Sequence, residues 1–102
     1  MTWVAVAKAS DLATGTASVV ETGALRLALC NTGNGIYAID DVCTHDGGPL
    51  DQGRLEGNEI ECRRHGARFD VTTGRVLCLQ AVRNVKSYPA RVENGVAEVD
   101  IP

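Results

Sequence analysis

A chain of 102 residues, 44% hydrophobic and 23% charged, is sized for a single domain around one modest core. Its formal charge of −3 is spread along the chain and its aromatics are only Trp3, Tyr37, Phe69 and Tyr88, which excludes a basic nucleic-acid surface and a base-stacking platform. No apolar run nears the ~18 residues of a membrane span, and residues 1–8 lack the basic-then-apolar order of a secretory leader, so a cytoplasmic location is expected.

Short β-rich segments follow one another from the N-terminus. Residues 4–7 form the first, and Ser10-Asp11-Leu12 can cap at most a single helical turn. Residues 16–20 read as a strand, and Leu25, Leu27 and Leu29 alternating with Arg26 and Ala28 predict another with one buried face. Asn34-Gly35 marks a turn into a strand over 36–39. Residues 42–52 then break the pattern. Gly57-Asn58 turns into a strand over Glu59–Glu61, a second interruption covers 63–68, and Thr72-Thr73-Gly74 forms a turn. Strands over 85–88 and Val96–Ile101, the latter entered through Asn94-Gly95, complete the series. No 3.6-residue period persists over ten positions. The expected class is all-β, an antiparallel sandwich or barrel, with residues 1–102 as one domain.

Four cysteines (Cys30, Cys43, Cys62, Cys78) and two histidines (His45, His65) carry the chemistry. In a reducing compartment, cysteines interleaved with histidines point to metal ligation rather than disulfides. Both histidines follow a cysteine closely, in Cys43-Thr44-His45 and, after sixteen intervening residues, Cys62-Arg63-Arg64-His65. Each half therefore offers one thiolate and one imidazole from an interrupting loop. Such a set suits an iron–sulfur cluster or a tetrahedral zinc ion. Zinc fingers more often pair cysteine with cysteine and histidine with histidine, so the alternation favours the cluster. Cys30 and Cys78 read as buried thiols acting as small hydrophobes.

With Gly47-Gly48-Pro49-Leu50 after the first pair and His65-Gly66-Ala67-Arg68-Phe69-Asp70 closing the second, the chain resembles a Rieske ferredoxin. The resemblance implies the Rieske fold, with a small cluster-binding subdomain at about residues 42–79 set into a β base. It also implies one Rieske-type [2Fe–2S] cluster, with Cys43 and Cys62 on the inner iron and His45 and His65 on the outer one. Two thiolates and two neutral imidazoles leave the oxidised cluster uncharged, whereas four thiolates would leave a dianion. Rieske potentials of about −150 to +300 mV accordingly lie above the roughly −400 mV of plant-type ferredoxins. High-potential Rieske proteins carry Ser and Tyr where this chain has Ala67 and Phe69, and a cysteine pair where it has Gly48 and Arg64. Neither Ala67 nor Phe69 can donate a hydrogen bond to sulfur, which implies the low-potential end of the range. Gly47, Gly48 and Gly66 are expected to admit backbone amides near the sulfurs, and Pro49 to stiffen the first loop. The family's proline-bearing third loop corresponds to Leu79-Gln80-Ala81-Val82, which has no proline. Arg63, Arg64 and Arg68, with Arg54 nearby, are expected to form a docking tip for an acidic partner surface.

No histidine is spare for a mononuclear iron site and no Gly-x-Gly-x-x-Gly is present, so electrons must both arrive from and leave to partners. The resemblance implies an electron carrier rather than an enzyme. Its donor would be an NAD(P)H-dependent flavoprotein reductase, and its acceptor a terminal Rieske non-haem iron oxygenase acting on aromatic rings. Docking at His45 and His65 would be brief and small in area. The alternatives are a redox small subunit of a nitrite-reductase-like complex and a structural zinc module.

Overall fold

The computed structural model describes residues 2–44, 48–62, 66–77 and 83–102. Within them the chain forms β1 (Thr2–Lys8), a single 3-10 turn (Ala9–Asp11), β2 (Thr16–Thr22), β3 (Leu25–Asn31) and β4 (Ile36–Asp40). There follow β5 (Arg54–Glu56), β6 (Glu59–Glu61), β7 (Arg68–Asp70), β8 (Ser87–Tyr88), β9 (Ala90–Glu93) and β10 (Val96–Ile101). Three sheets result, ordered β1-β10-β9, β2-β3-β4-β8 and β5-β6-β7, and every paired neighbour is antiparallel. The all-β expectation holds, and the one helical turn falls where Ser10 and Asp11 allow it.

Strand β3 connects the whole arrangement because it is buried on both faces. Leu27 and Leu29 pack with Leu12, Ala38, Tyr88, Ala97 and Val99 against the β1-β10-β9 sheet. Ala28 and Cys30 point the other way, into a second core with Ile39, Leu50, Ile60, Phe69 and Val71. The alternation of leucine with alanine and arginine predicted one buried face, and the structure corrects this. Small residues on the second face let the β5-β6-β7 sheet lie close, a consequence of tertiary packing that hydropathy alternation does not encode.

Strands β5, β7 and β9 were not anticipated. Arg54-Leu55-Glu56 and Arg68-Phe69-Asp70 each carry a single apolar residue, too little for a two-residue period, and β7 begins at Arg68, inside the segment expected to be loop. The Asn94-Gly95 hairpin is as expected, with both residues at positive φ (52° and 79°), as a type I′ turn requires. At the β3–β4 turn the left-handed residue is Gly33 (φ 89°) rather than Asn34 or Gly35, and Asn31 Oδ1 accepts from the Gly33 amide.

Candidate metal centre

Cys43 and Cys62 sit at the starts of two loops that close in the same way. The Cys43 amide donates to the carbonyl of Gly48 (2.6 Å), five residues on, and the Cys62 amide donates to that of Ala67, again five residues on (2.7 Å). Both cysteines are buried and belong to the same core cluster, with Leu50, Ala67 and Phe69 packed into it. The histidines expected to complete the set, His45 and His65, lie outside the described residues, as do Gly47, Arg63, Arg64, Cys78 and residues 79–82.

The second loop is the tip of a hairpin. Pairing of β6 with β7 runs Glu59↔Asp70, Ile60↔Phe69 and Glu61↔Arg68, and the Cys62–Ala67 bond continues that register by one step. Gly66 takes φ 74° and donates to the Cys62 carbonyl (3.0 Å). Its Cβ would meet no described atom within 4 Å, so the chain itself asks here for a left-handed backbone rather than for space.

The first loop has no hairpin beneath it, since β4 pairs with β3 and β8 while β5 pairs with β6. A carboxylate takes that place. Asp41, its side chain fully buried, accepts from the amides of Leu50 (2.8 Å) and Asp51 (2.7 Å) on Oδ1 and from Arg26 Nε (2.9 Å) on Oδ2. The Asp41 amide in turn donates to the Arg26 carbonyl (3.0 Å). Hydrogen bonds to a charged group are worth about 1.5–3 kcal/mol each, and burial without them would be prohibitive. Leu50, fully buried, anchors the loop exit from below, while Pro49 itself is exposed. Burial, then the neighbouring Asp41 carboxylate, push the Asp51 carboxyl above its ordinary range, and Arg26 pulls it down.

A third segment closes the site from the side. Thr44 Oγ1 donates to the Arg83 carbonyl (2.6 Å), and the Val76 amide donates to Asn84 Oδ1 (2.9 Å). The Val85 amide reaches the Gly74 carbonyl (2.8 Å) and the Leu77 amide that of Arg68 (2.8 Å). A Cβ on Gly74 would overlap the Val85 carbonyl, so only glycine lets these two segments approach. Asp41, Asn84 and Leu50 are the residues that sequence reasoning missed. Asp41 offered a signal as a second consecutive aspartate leading straight into the Cys-x-His loop, and Leu50 stood in the Gly-Gly-Pro-Leu motif without being given a role.

Arg68 is not an unopposed cation. Its guanidinium lies 3.0 Å from Glu61, 3.3 Å from Glu59 and 3.6 Å from Glu56, and hydrogen bonding to Glu59 leads the contacts that raise its pKa further. Cys30 is a buried thiol in the same core as Cys43 and Cys62. Burial first, and the charge of Asp41 second, push its pKa up to about 12. At neutral pH it is a protonated, inert filler.

The donor chemistry fits an iron–sulfur group. Two thiols reach one buried cluster from two separate loops, among side chains that keep water away. A family model for the Rieske [2Fe-2S] domain matches residues 2–89. The chain belongs to this family. Among its Rieske relatives, the ferredoxin component of the naphthalene 1,2-dioxygenase system of Pseudomonas putida is 39% identical over 99 residues, 97% of this chain and 95% of the relative. The solved Rieske ferredoxin of carbazole 1,9a-dioxygenase from Nocardioides aromaticivorans IC177 superposes with a TM-score of 0.93 at 31% identity, all of each chain being covered. A chain in the complex of reduced oxygenase and oxidized ferredoxin of carbazole 1,9a-dioxygenase matches with a TM-score of 0.88 at 36% identity, over 95% of this chain and 91% of that one. Among the described residues, no helix is long and apolar enough to cross a membrane.

Proposed function

We propose that this Rieske protein is the ferredoxin of a multicomponent oxygenase system. It carries single electrons from an NAD(P)H-dependent flavoprotein reductase to a terminal non-haem iron oxygenase that hydroxylates aromatic rings, in the cytoplasm. The observation that carries this reading is the pair of buried thiols heading two matching loops, in a chain spanning nearly the full length of dioxygenase ferredoxins. Cys43, His45, Cys62 and His65 hold the group, and residues 42–79 form the subdomain that presents it within one domain, 1–102. When bound, a [2Fe–2S] cluster supplies reversible one-electron chemistry.

The residues of the chain supply position, dryness and access. The two Cys amides, tied to Gly48 and Ala67, fix where each thiolate points. Leu50, Ala67 and Phe69 exclude water beneath the sulfurs and donate no hydrogen bond from their side chains, which supports a low potential. The imidazoles of His45 and His65 are the edge offered to partners. Of the docking arginines, Arg63, Arg64 and Arg68, the last is opposed by Glu56, Glu59 and Glu61, which lowers its share of the docking charge. The complex of oxygenase and ferredoxin formed by a 36% identical relative supports an oxygenase as acceptor.

The test begins with iron and acid-labile sulfide in the purified protein, expected at two of each per chain. Turnover of an aromatic substrate by a reductase, this protein and a terminal oxygenase together, lost when this protein is left out, would establish the role. A colourless protein holding one redox-inert metal would overturn it.

A further inference from the structure

The two loops share a closing bond but not a foundation, and Asp41 is what makes up the difference. The second loop rides on the β6–β7 ladder, held on both legs by main-chain pairing. The first joins strands of two different sheets. Its entry is tied by Thr44 to the Arg83 carbonyl, and its exit is held by two amides, Leu50 and Asp51, that converge on a single carboxylate oxygen. We propose that Asp41, oriented by Arg26, is the positioning residue of the first cluster loop, fixing its exit at Leu50–Asp51 and thereby the placement of Cys43 toward the metal group. The role rests on the reading of Cys43 as a ligand.

Its geometry suits that work. The carboxylate is fully buried and its two oxygens are divided, one facing the loop and the other the Arg26 guanidinium on β3. A loop exit whose two amides converge on a side-chain carboxylate is sensitive to that side chain in a way that a strand ladder is not. The Arg26 guanidinium is half exposed, so it orients the carboxylate more than it stabilises it.

The experiment compares D41A, D41N and R26Q with V99A, a control that weakens the other core from β10, in the sheet that holds neither Arg26 nor Asp41. The readouts are hydrogen exchange of peptides covering 48–53 and 66–70, the rate of bleaching under an iron chelator, and the electron paramagnetic resonance line shape of the reduced protein. In D41A, exchange at 48–53 and the bleaching rate should each rise at least about tenfold, with 66–70 unchanged and the resonance broadened. D41N, which keeps an acceptor for both amides, should fall between D41A and wild type, and R26Q should lie closer to wild type. V99A should leave the line shape and the local exchange pattern as they are. Wild-type exchange at 48–53 in D41A, or an equal rise in both loops, overturns the proposal. Should D41A fail to fold, D41N decides by the same two peptides. A wild-type protein without iron and sulfide would sink the ligand reading instead, while the exchange measurement would still judge the latch.

Discussion

The loop over 62–67 and the loop over 43–48 answer one need by different means. Each opens on a buried cysteine whose amide reaches a carbonyl five residues on. One is the end of a hairpin, so its shape follows from neighbouring main chain and tolerates changes of side chain. The other spans from the β2-β3-β4-β8 sheet to the small sheet and depends on a buried carboxylate paired with a half-exposed guanidinium and, among the described residues, on the apolar anchor Leu50. A site with two similar halves need not be equally robust in both, and the weaker half is the one built from side chains.

The comparison breaks outright if the two cysteines are not equivalent. C43S and C62S should each abolish visible absorbance and reduce bound iron to below about a tenth of wild type; survival of colour in either would show that the halves do different jobs. Next come the anchors beneath the loops. F69A removes a fully buried ring and should cost about 3–5 kcal/mol in denaturant unfolding, and L50A about 2–5 kcal/mol. L50A should speed cluster loss more than its stability cost accounts for, because among the described residues Leu50 is the large, fully buried apolar side chain of the first loop.

The floor shared by both loops titrates. The Cys30 pKa is raised from 9.0 to about 12 on folding, so the folded state keeps a proton that the unfolded chain gives up. Its stability is therefore fully present below pH 9 and is lost as pH rises towards 12. Above about pH 9 wild type should lose up to about 1.4 kcal/mol per pH unit more than C30A, in unfolding curves taken across that range. The smallest effect concerns the second loop alone. A67S adds a donor beside the sulfurs, and a gain of about 1 kcal/mol for the reduced state would raise the midpoint potential by about 40 mV. The unmodified protein should titrate near the bottom of the Rieske range, and a midpoint well above 0 mV would contradict the role given to Ala67 and Phe69.

The two cysteines that end up buried in one core, and the class of metal chemistry, were legible before the fold was known. Cys43-x-His45 and Cys62-x-x-His65 are local patterns, readable because chelation by a short loop demands ligands a few residues apart. The turn at Asn94-Gly95 was equally plain, since few residues accept its left-handed backbone. The three-residue strands β5 and β7 were hidden because each presents one apolar side chain between charged ones. Arg68 looked like a docking cation beside Arg63 and Arg64 until β5 and β6 brought three glutamates to its guanidinium.

What the amino-acid order determined alone was the class of strands and turns and the kind of metal chemistry, both properties of neighbours along the chain. Only the tertiary structure decided that β3 is buried on two faces, that Arg68 is neutralised and that Asp41 holds the first loop. Those outcomes depend on groups brought together across sheets, such as Arg26 and Asp41, fifteen positions apart. Their cost or benefit is set by burial, which exists only once the sheets have packed.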